Sequence, residues 1–300
     1  MIEHFMTLDI KKQCFEKEMS IMSDIAVVTD STAYLTDEEV TKYGLTIVPL
    51  TVNFEDGFIY DCMMRDLGPF FERVDQSAKF PVSSQPPVGR FVEVYEKLLS
   101  EGKEIISIHI SSEFSGTVES ARAAAKMVDE NKITVIDSLY ILSPLGLQVM
   151  AAAQWAAEGF PRSEIEAMLE KKRNEMKAFF VPGTLKYLKK GGRIGGAQAL
   201  LGMMLKIKPI LGIIGGRVEI LGKHRTWNKV IERIVGEMPT EYNSLLASIG
   251  HIDAQEITDR IIKAVLEKEP KAIVVPGLCG PVIGLHIGPG AIGVCFWPQD

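Results

Sequence analysis

Ser23-Asp24-Ile25-Ala26-Val27-Val28-Thr29-Asp30-Ser31-Thr32 is the stretch on which the reading of this chain turns. Ile25 to Thr29 is a short apolar run of the kind that forms a buried strand. Hydroxyl and acidic residues follow it at once. Thr36 to Tyr43 then reads as a short helix, with Thr36 as N-cap and Glu39 three residues on, a capping-box spacing. Leu45 to Asn53 reads as a second strand. Residues 54–82, with the turn signal Asp56-Gly57 and scattered aromatics, form an excursion from the main sheet. Helix (Pro87 to Leu99), strand (Glu104 to Ile110), helix (Ser115 to Val128), strand (Ile133 to Ile136) and helix (Gly146 to Glu158) continue the alternation. This βαβα rhythm predicts an N-terminal, doubly wound, mainly parallel sheet over 23–160.

The rhythm changes after Phe160. Helix Pro161 to Met176 leads to a strand at Ala178 to Val181, a basic glycine-rich segment, and a strand at Leu205 to Ile214. Gly215-Gly216 is a hairpin signal, with Val218 to Leu221 as the return strand. Helix Trp227 to Met238, strand Leu245 to His251, helix Ala254 to Leu266 and strand Ala272 to Val275 follow. Two final strands are expected around Gly288-Pro289-Gly290. Mixed order with a hairpin predicts a C-terminal α+β domain over 161–300. Residues 1–22 read as an N-terminal extension: Met22 stands just before the first strand, and Lys11, Lys12, Glu16, Lys17 and Glu18 lend the segment only weak helical periodicity.

Bulk properties narrow the function. The 300 residues suffice for two domains, and 46% hydrophobic with 24% charged residues is an ordinary globular composition. A net charge of −6 argues against broad binding to nucleic acid or an acidic membrane. Cys14, Cys62, Cys279 and Cys295 form no C-x-x-C pair and suggest neither a disulfide framework nor a zinc site. That spacing, with no signal peptide and no integral membrane segment, predicts a cytoplasmic protein.

Hydroxyls recur where strands give way to helices. Thr29-Asp30-Ser31-Thr32, Ser83-Ser84-Gln85-Pro86, Ser111-Ser112-Glu113-Phe114-Ser115-Gly116-Thr117 and Asp137-Ser138 all sit at such junctions. Each alone suits a helix N-cap. Together, at the carboxyl edge of a parallel sheet, they suit an anionic ligand. From Pro182 to Gly216 the chain carries Lys186, Lys189, Lys190, Arg193, Lys206 and Lys208 and no acid, which suits either a phosphate or acidic partner or a solvated helix end.

Other chemistries find no support. Gly288-Pro289-Gly290-Ala291-Ile292-Gly293 matches G-x-G-x-x-G but lies at the chain end, with no βαβ unit after it. There is no G-x-S-x-G elbow and no H-E-x-x-H. Gly216 to Lys223 has the wrong glycine spacing for a P-loop, with His224 where Ser or Thr is needed. His109 and His251 lie in strands and read as core or edge residues; His224 and His286 flank turns and are better candidates.

These segments, in this order, resemble the DegV family. The resemblance runs from about Ile25 to Phe296, through Thr29 to Thr32, Ser83 to Pro86, Ile110 to Ser112 with Ser115 to Thr117, Thr184-Leu185, Tyr187 to Gly195, Ile207-Lys208-Pro209-Ile210, Arg225-Thr226, and His286 with Gly288 to Ala291. It implies a long-chain fatty acid in a tunnel between the two domains, no cofactor, and no chemistry by the carrier itself. It also implies a partner, the catalytic subunit of a fatty acid kinase, which phosphorylates the presented carboxylate. The carboxylate contacts would fall on Ser83, Ser84, Ser115, Gly116 and Thr117, with Arg225, Thr226 and His286 from the second domain. Three positions depart from the family pattern: Ser83 replaces a usual threonine, Pro87 a small polar residue, and Trp227 a second basic residue. Separately, the Gly191-Gly192-Arg193 turn is expected to project Arg193 outward for partner docking. An enzyme, or a ligand-responsive regulator, acting on another small carboxylate or phosphate is the alternative.

Overall fold

The computed structural model describes residues 24–64, 66–203 and 207–299. The extension 1–22 and Lys206 lie outside them.

The first unit is a parallel sheet covered on both faces. Its strands are β1 (Ile25–Asp30), β2 (Thr46–Val48), β6 (Glu104–His109) and β7 (Ile133–Asp137), in the order β2-β1-β6-β7. All pairings are parallel: Val28 opposes Thr46, Val27 opposes Ile106, and Ile106 opposes Thr134. Period-two alternation sends neighbouring apolar residues to opposite faces. Val28, Val48, Ile105 and Ile133 meet Phe91, Tyr95, Ala121 and Ala124 from α3 (Val88–Ser100) and α4 (Thr117–Val128). Val27, Ile106, Ile108 and Ile136 meet Leu145, Val149 and Ala152 from α5 (Leu142–Ala157). Helix α6 (Arg162–Glu175) adds Ile165 and Leu169 to that second cluster. The sheet is doubly wound, as the alternation implied.

Short-range rules account for α1 (Asp37–Tyr43). The Thr36 hydroxyl accepts from Glu39 N–H at 3.2 Å, and Thr36 N–H donates back to the Glu39 carboxylate at 2.8 Å. Gly44, at φ +60, ends the helix.

The strand expected over Leu45 to Asn53 is two strands in two sheets. Pro49 has no N–H for a ladder and sits at the break. Beyond it, β3 (Thr51–Phe54) turns through Glu55-Asp56 into β4 (Gly57–Tyr60) and pairs on its other side with β5 (Val82–Ser84), in the order β4-β3-β5. The excursion is therefore a small antiparallel sheet, with helix α2 (Gly68–Gln76) between β4 and β5.

The second unit is a six-stranded mixed sheet of order β10-β9-β8-β13-β11-β12. Its strands are β8 (Lys177–Val181), β9 (Lys208–Ile214), β10 (Arg217–His224), β11 (Ser244–His251), β12 (Ile273–Gly277) and β13 (Ile292–Gln299). Gly215 and Gly216, at φ +55 and +82, make the β9–β10 turn, the two positive angles a type I′ hairpin demands. Helices α8 (Trp227–Gly236) and α9 (Gln255–Lys268) cover one face, packing Val230, Ile234, Ile261 and Val265 on Leu245, Ala247, Ile249, Val294 and Phe296. Between the units lie the short helices α7 (Lys186–Lys190) and α10 (Pro281–Ile287).

Helix α10 corrects the sequence reading, which put strands on both sides of Gly288-Pro289-Gly290. Only the following segment, β13, is a strand. Pro281 occupies the first helical turn, where its missing N–H costs nothing, and Gly288 at φ +74 ends the helix. A short apolar run such as Pro281 to Ile287 carries no period that separates buried helix from buried strand.

Candidate functional site

The uncovered face of the six-stranded sheet meets the first unit across a cavity of about 320 Å³, within the range of small-molecule sites. The sheet makes room by using small side chains in register. Ser248 opposes Cys295, which opposes Ala178; in the next row Gly250 opposes Gly293. A Cβ placed on Gly293 would meet no atom within 4 Å. Phe180, Ile213 and Val218 on this side, and Ile110, Phe114, Ile141 and Leu142 on the other, make most of the wall apolar.

One side of the cavity is polar. Ser83 Oγ stands 2.8 Å from His286 Nε2, joining the small sheet to α10. Gly191 packs directly on the imidazole, since a Cβ there would fall 2.1 Å from Nδ1. Two residues on, Arg193 turns its guanidinium back, Nε donating to Phe114 O at 3.0 Å and NH1 to Gly191 O at 2.7 Å. Phe114 leads into Ser115 and Gly116. Gly116 is tied sterically to Gln85, whose Oε1 lies 2.1 Å from where a Cβ would be. Gln85 Nε2 in turn donates to Ser120 Oγ at 2.8 Å.

Among the described lining residues Arg193 carries the fixed positive charge, and none is acidic. Burial, with the Arg193 charge beside it, pushes His286 down to about 4, so its imidazole is neutral near pH 7. This arrangement suits an anion seated at the hydroxyls with an apolar body extending away from it.

The residues singled out from sequence divide three ways. Ser83, Ser84, Ser115, Gly116 and His286 all line the cavity. Thr117 stands behind them, its hydroxyl 2.9 Å from that of Ser115. Arg225 and Thr226 are not brought to it. They follow the end of β10 at His224, and neither is among the residues that line the cavity. Thr226 caps α8 by accepting from Lys229 N–H at 3.4 Å. Arg193, expected to point outward, is exposed but bends over the cavity. The glycine turn is there, with Gly192 at φ +71, but the carbonyls of Phe114 and Gly191 capture the guanidinium.

The four hydroxyl clusters do not form one edge. Asp30, Ser31, Thr32, Asp137 and Ser138 are spent on the protein, while Thr29 Oγ1 is buried with no hydrogen-bond partner among the described residues. Asp30 accepts from Ile110 N–H at 2.8 Å and lies 3.1 Å from His109 Nδ1. Ser31 Oγ donates to Asp61 at 2.8 Å, and Ser138 Oγ donates to Tyr140 O at 3.1 Å. Ser83 and Ser84 lie on the small antiparallel sheet, not on the parallel one. Within the hydroxyl segments Gln85 and Phe114 were given no role of their own, and the small residues of the sheet floor were not singled out in the sequence. The alternation of small and large residues along β13 was the signal for the floor.

A Ser107–His109–Asp30 alignment also exists, with Ser107 Oγ 2.7 Å from His109 Nε2 and Tyr95 O–H donating to Ser107. Its three members are 0% exposed and do not touch the cavity. They tie β1 to β6. Among the described residues no helix is long and apolar enough to cross a membrane, and no group of three potential metal ligands occurs.

Comparison with known proteins finds relatives of the same fold. A family model described as "Uncharacterised protein, DegV family" matches residues 24–299. The chain is 35% identical to Protein DegV of Bacillus subtilis over 277 residues, 91% of this chain and 99% of that one. It is similar to a solved DegV family protein from Thermus thermophilus, described by its fatty acid binding, with a TM-score of 0.84 and 33% identity over 93% of this chain and 100% of that chain. Another similar structure is a stearic acid-binding protein from Eubacterium ventriosum, with a TM-score of 0.79 and 26% identity over 92% and 98% of the two chains.

Proposed function

This chain belongs to the DegV family, and from that premise we propose that it binds one long-chain fatty acid and presents the carboxylate to a separate kinase subunit for acyl-phosphate formation. The observation that carries the reading is the polarity of the cavity. Hydroxyls, Arg193 and His286 gather on one side, and most of the remaining wall is apolar. Solved relatives described as fatty acid binding support it.

The energetics divide the labour. A tail of roughly fifteen methylenes at ~0.8 kcal/mol each gives on the order of 12 kcal/mol gross on burial. Ordering the flexible chain takes back a substantial share. A charge-assisted hydrogen bond at the head adds about 1.5–3 kcal/mol. The tail supplies affinity, and the head sets the orientation that a kinase requires. Ser83, Ser84, Ser115 and Gly116 cradle the carboxylate, Arg193 balances its charge, and neutral His286 is a hydrogen-bond partner.

Mass spectrometry of ligand extracted from the purified protein tests the binding. Transfer of labelled phosphate from ATP to the bound acid, with and without a fatty acid kinase subunit, tests the presentation. Recovery of a ligand with no acyl chain defeats the reading.

A further inference from the structure

Ser248 lies on β11 in the middle of the sheet floor. It is 3% exposed, and its Oγ has no hydrogen-bond partner. Its strand is paired on both sides, with Val275 of β12 and Cys295 of β13 opposite it, so the ladders occupy the backbone around it. Alternation fixes its direction. Leu245, Ala247 and Ile249 turn to the helix-covered core, and Ser248 and Gly250 turn to the cavity they line. An alanine would fill the same space without an unpaired hydroxyl, and buried hydroxyls are ordinarily paired.

The position along the cavity also matters. Strand β13 leads away from α10 and His286, so the Ser248–Cys295 row lies two residues, about 7 Å, further from His286 than the Gly250–Gly293 row. The lining near it is Ala178, Cys295, Ile213 and Ile141. Burial pushes the Cys295 thiol up to about 12, which leaves an S–H, a weak partner for a hydroxyl. A plain hydrocarbon chain in this part of the cavity leaves Ser248 Oγ unpaired.

We propose that Ser248 recognises an oxygen on the acyl chain, so that the cavity favours a hydroxy or oxo fatty acid over the unsubstituted acid of the same length. This rests on the fatty-acid reading above and adds the class of chain. A chain hydroxyl can accept from or donate to Ser248 Oγ, and a chain carbonyl can accept from it. A site built around such a bond discriminates against the analogue that lacks the oxygen, because the buried polar group is then left alone.

The test uses the full chain, stripped of ligand. Dissociation constants are measured for stearic acid and for mono-hydroxystearic acids with the hydroxyl at successive chain positions, in wild type and in Ser248→Ala. Wild type is expected to prefer one hydroxyl position over stearic acid by about tenfold or more. Ser248→Ala should bring that ratio close to one, bind stearic acid at least as well, and leave the ligand-free Tm unchanged or raised. Stearic acid bound with no preference in wild type, or a preference that survives in Ser248→Ala, overturns the inference and leaves fatty-acid binding standing. A fall in Tm with an unchanged ratio assigns Ser248 to sheet packing and also overturns it. Failure of wild type to bind any of these acids overturns the fatty-acid reading itself, and this inference with it.

Discussion

Ser83 Oγ and His286 Nε2 lie 2.8 Å apart although 203 residues separate them in the chain. The contact links the small sheet of the first unit to the helix that introduces the last strand of the second. It also fixes the electrical character of the cavity's polar side, because the imidazole is held where burial keeps it neutral.

That neutrality is measurable. Burial, with Arg193 beside it, holds His286 down at about 4 in the ligand-free protein. A bound carboxylate nearby favours the imidazolium and raises this value. Linkage then requires ligand affinity to increase as pH falls through the raised value towards 4. NMR titration of the His286 ring with and without fatty acid checks the shift. An identical titration in both states places the head group away from His286.

In the proposed function Arg193 is the second determinant of the head site. Arg193→Gln removes the fixed positive charge and the hydrogen bonds to Phe114 and Gly191. The expected loss in fatty-acid affinity is about tenfold to hundredfold, the equivalent of about 1.5–3 kcal/mol. Kinase turnover measured at saturating ligand separates this from docking: a further defect there assigns Arg193 to partner contact as well.

The sheet floor predicts chain selection. Gly293→Val places two methyl groups in space now open and adds β propensity. The ligand-free protein should melt at the same temperature or a few degrees higher. Affinity for long chains should fall by about tenfold or more, with shorter chains affected less. Calorimetric titration with acids of increasing length reads the change.

A buried carboxylate couples the two units to pH. Asp61 accepts from Ser31 Oγ at 2.8 Å, Tyr34 O–H at 3.1 Å and Val282 N–H at 2.9 Å, tying α10 to the first unit. Burial pushes it up from 3.8 to about 7. Between those values the folded protein retains a proton that the unfolded chain has released. The stability from this group is therefore full below about pH 4 and lost as pH rises through about 7. Asp61→Asn should flatten the dependence of Tm on pH across that window. An unchanged slope would place its origin in other groups.

Much of this molecule is local in origin and was open to reading in the sequence. The capping box at Thr36 and Glu39, the Gly215-Gly216 hairpin and the apolar runs at Ile25 and Ile105 act through neighbours a few residues apart, so chain order alone specifies them. The division into a doubly wound parallel unit and a sheet-rich unit followed from that order, and so did the hydroxyls at Ser83, Ser84 and Ser115. Tertiary structure decided which of those hydroxyls share a site. Ser31 and Ser138 went to protein partners, and Ser83 reached the cavity only because Pro49 diverted the chain into a second sheet. Arg225 resembled a site residue by motif yet lies beyond the end of β10, while Arg193 curls over the cavity because two backbone carbonyls capture it. Helix α10 was misread because an apolar run of seven residues carries no period of its own. The cavity floor is non-local in the same way. A glycine at 293, a serine at 248 and an alanine at 178 are unremarkable along the chain, and become the floor of one cavity only when strand register lays them side by side.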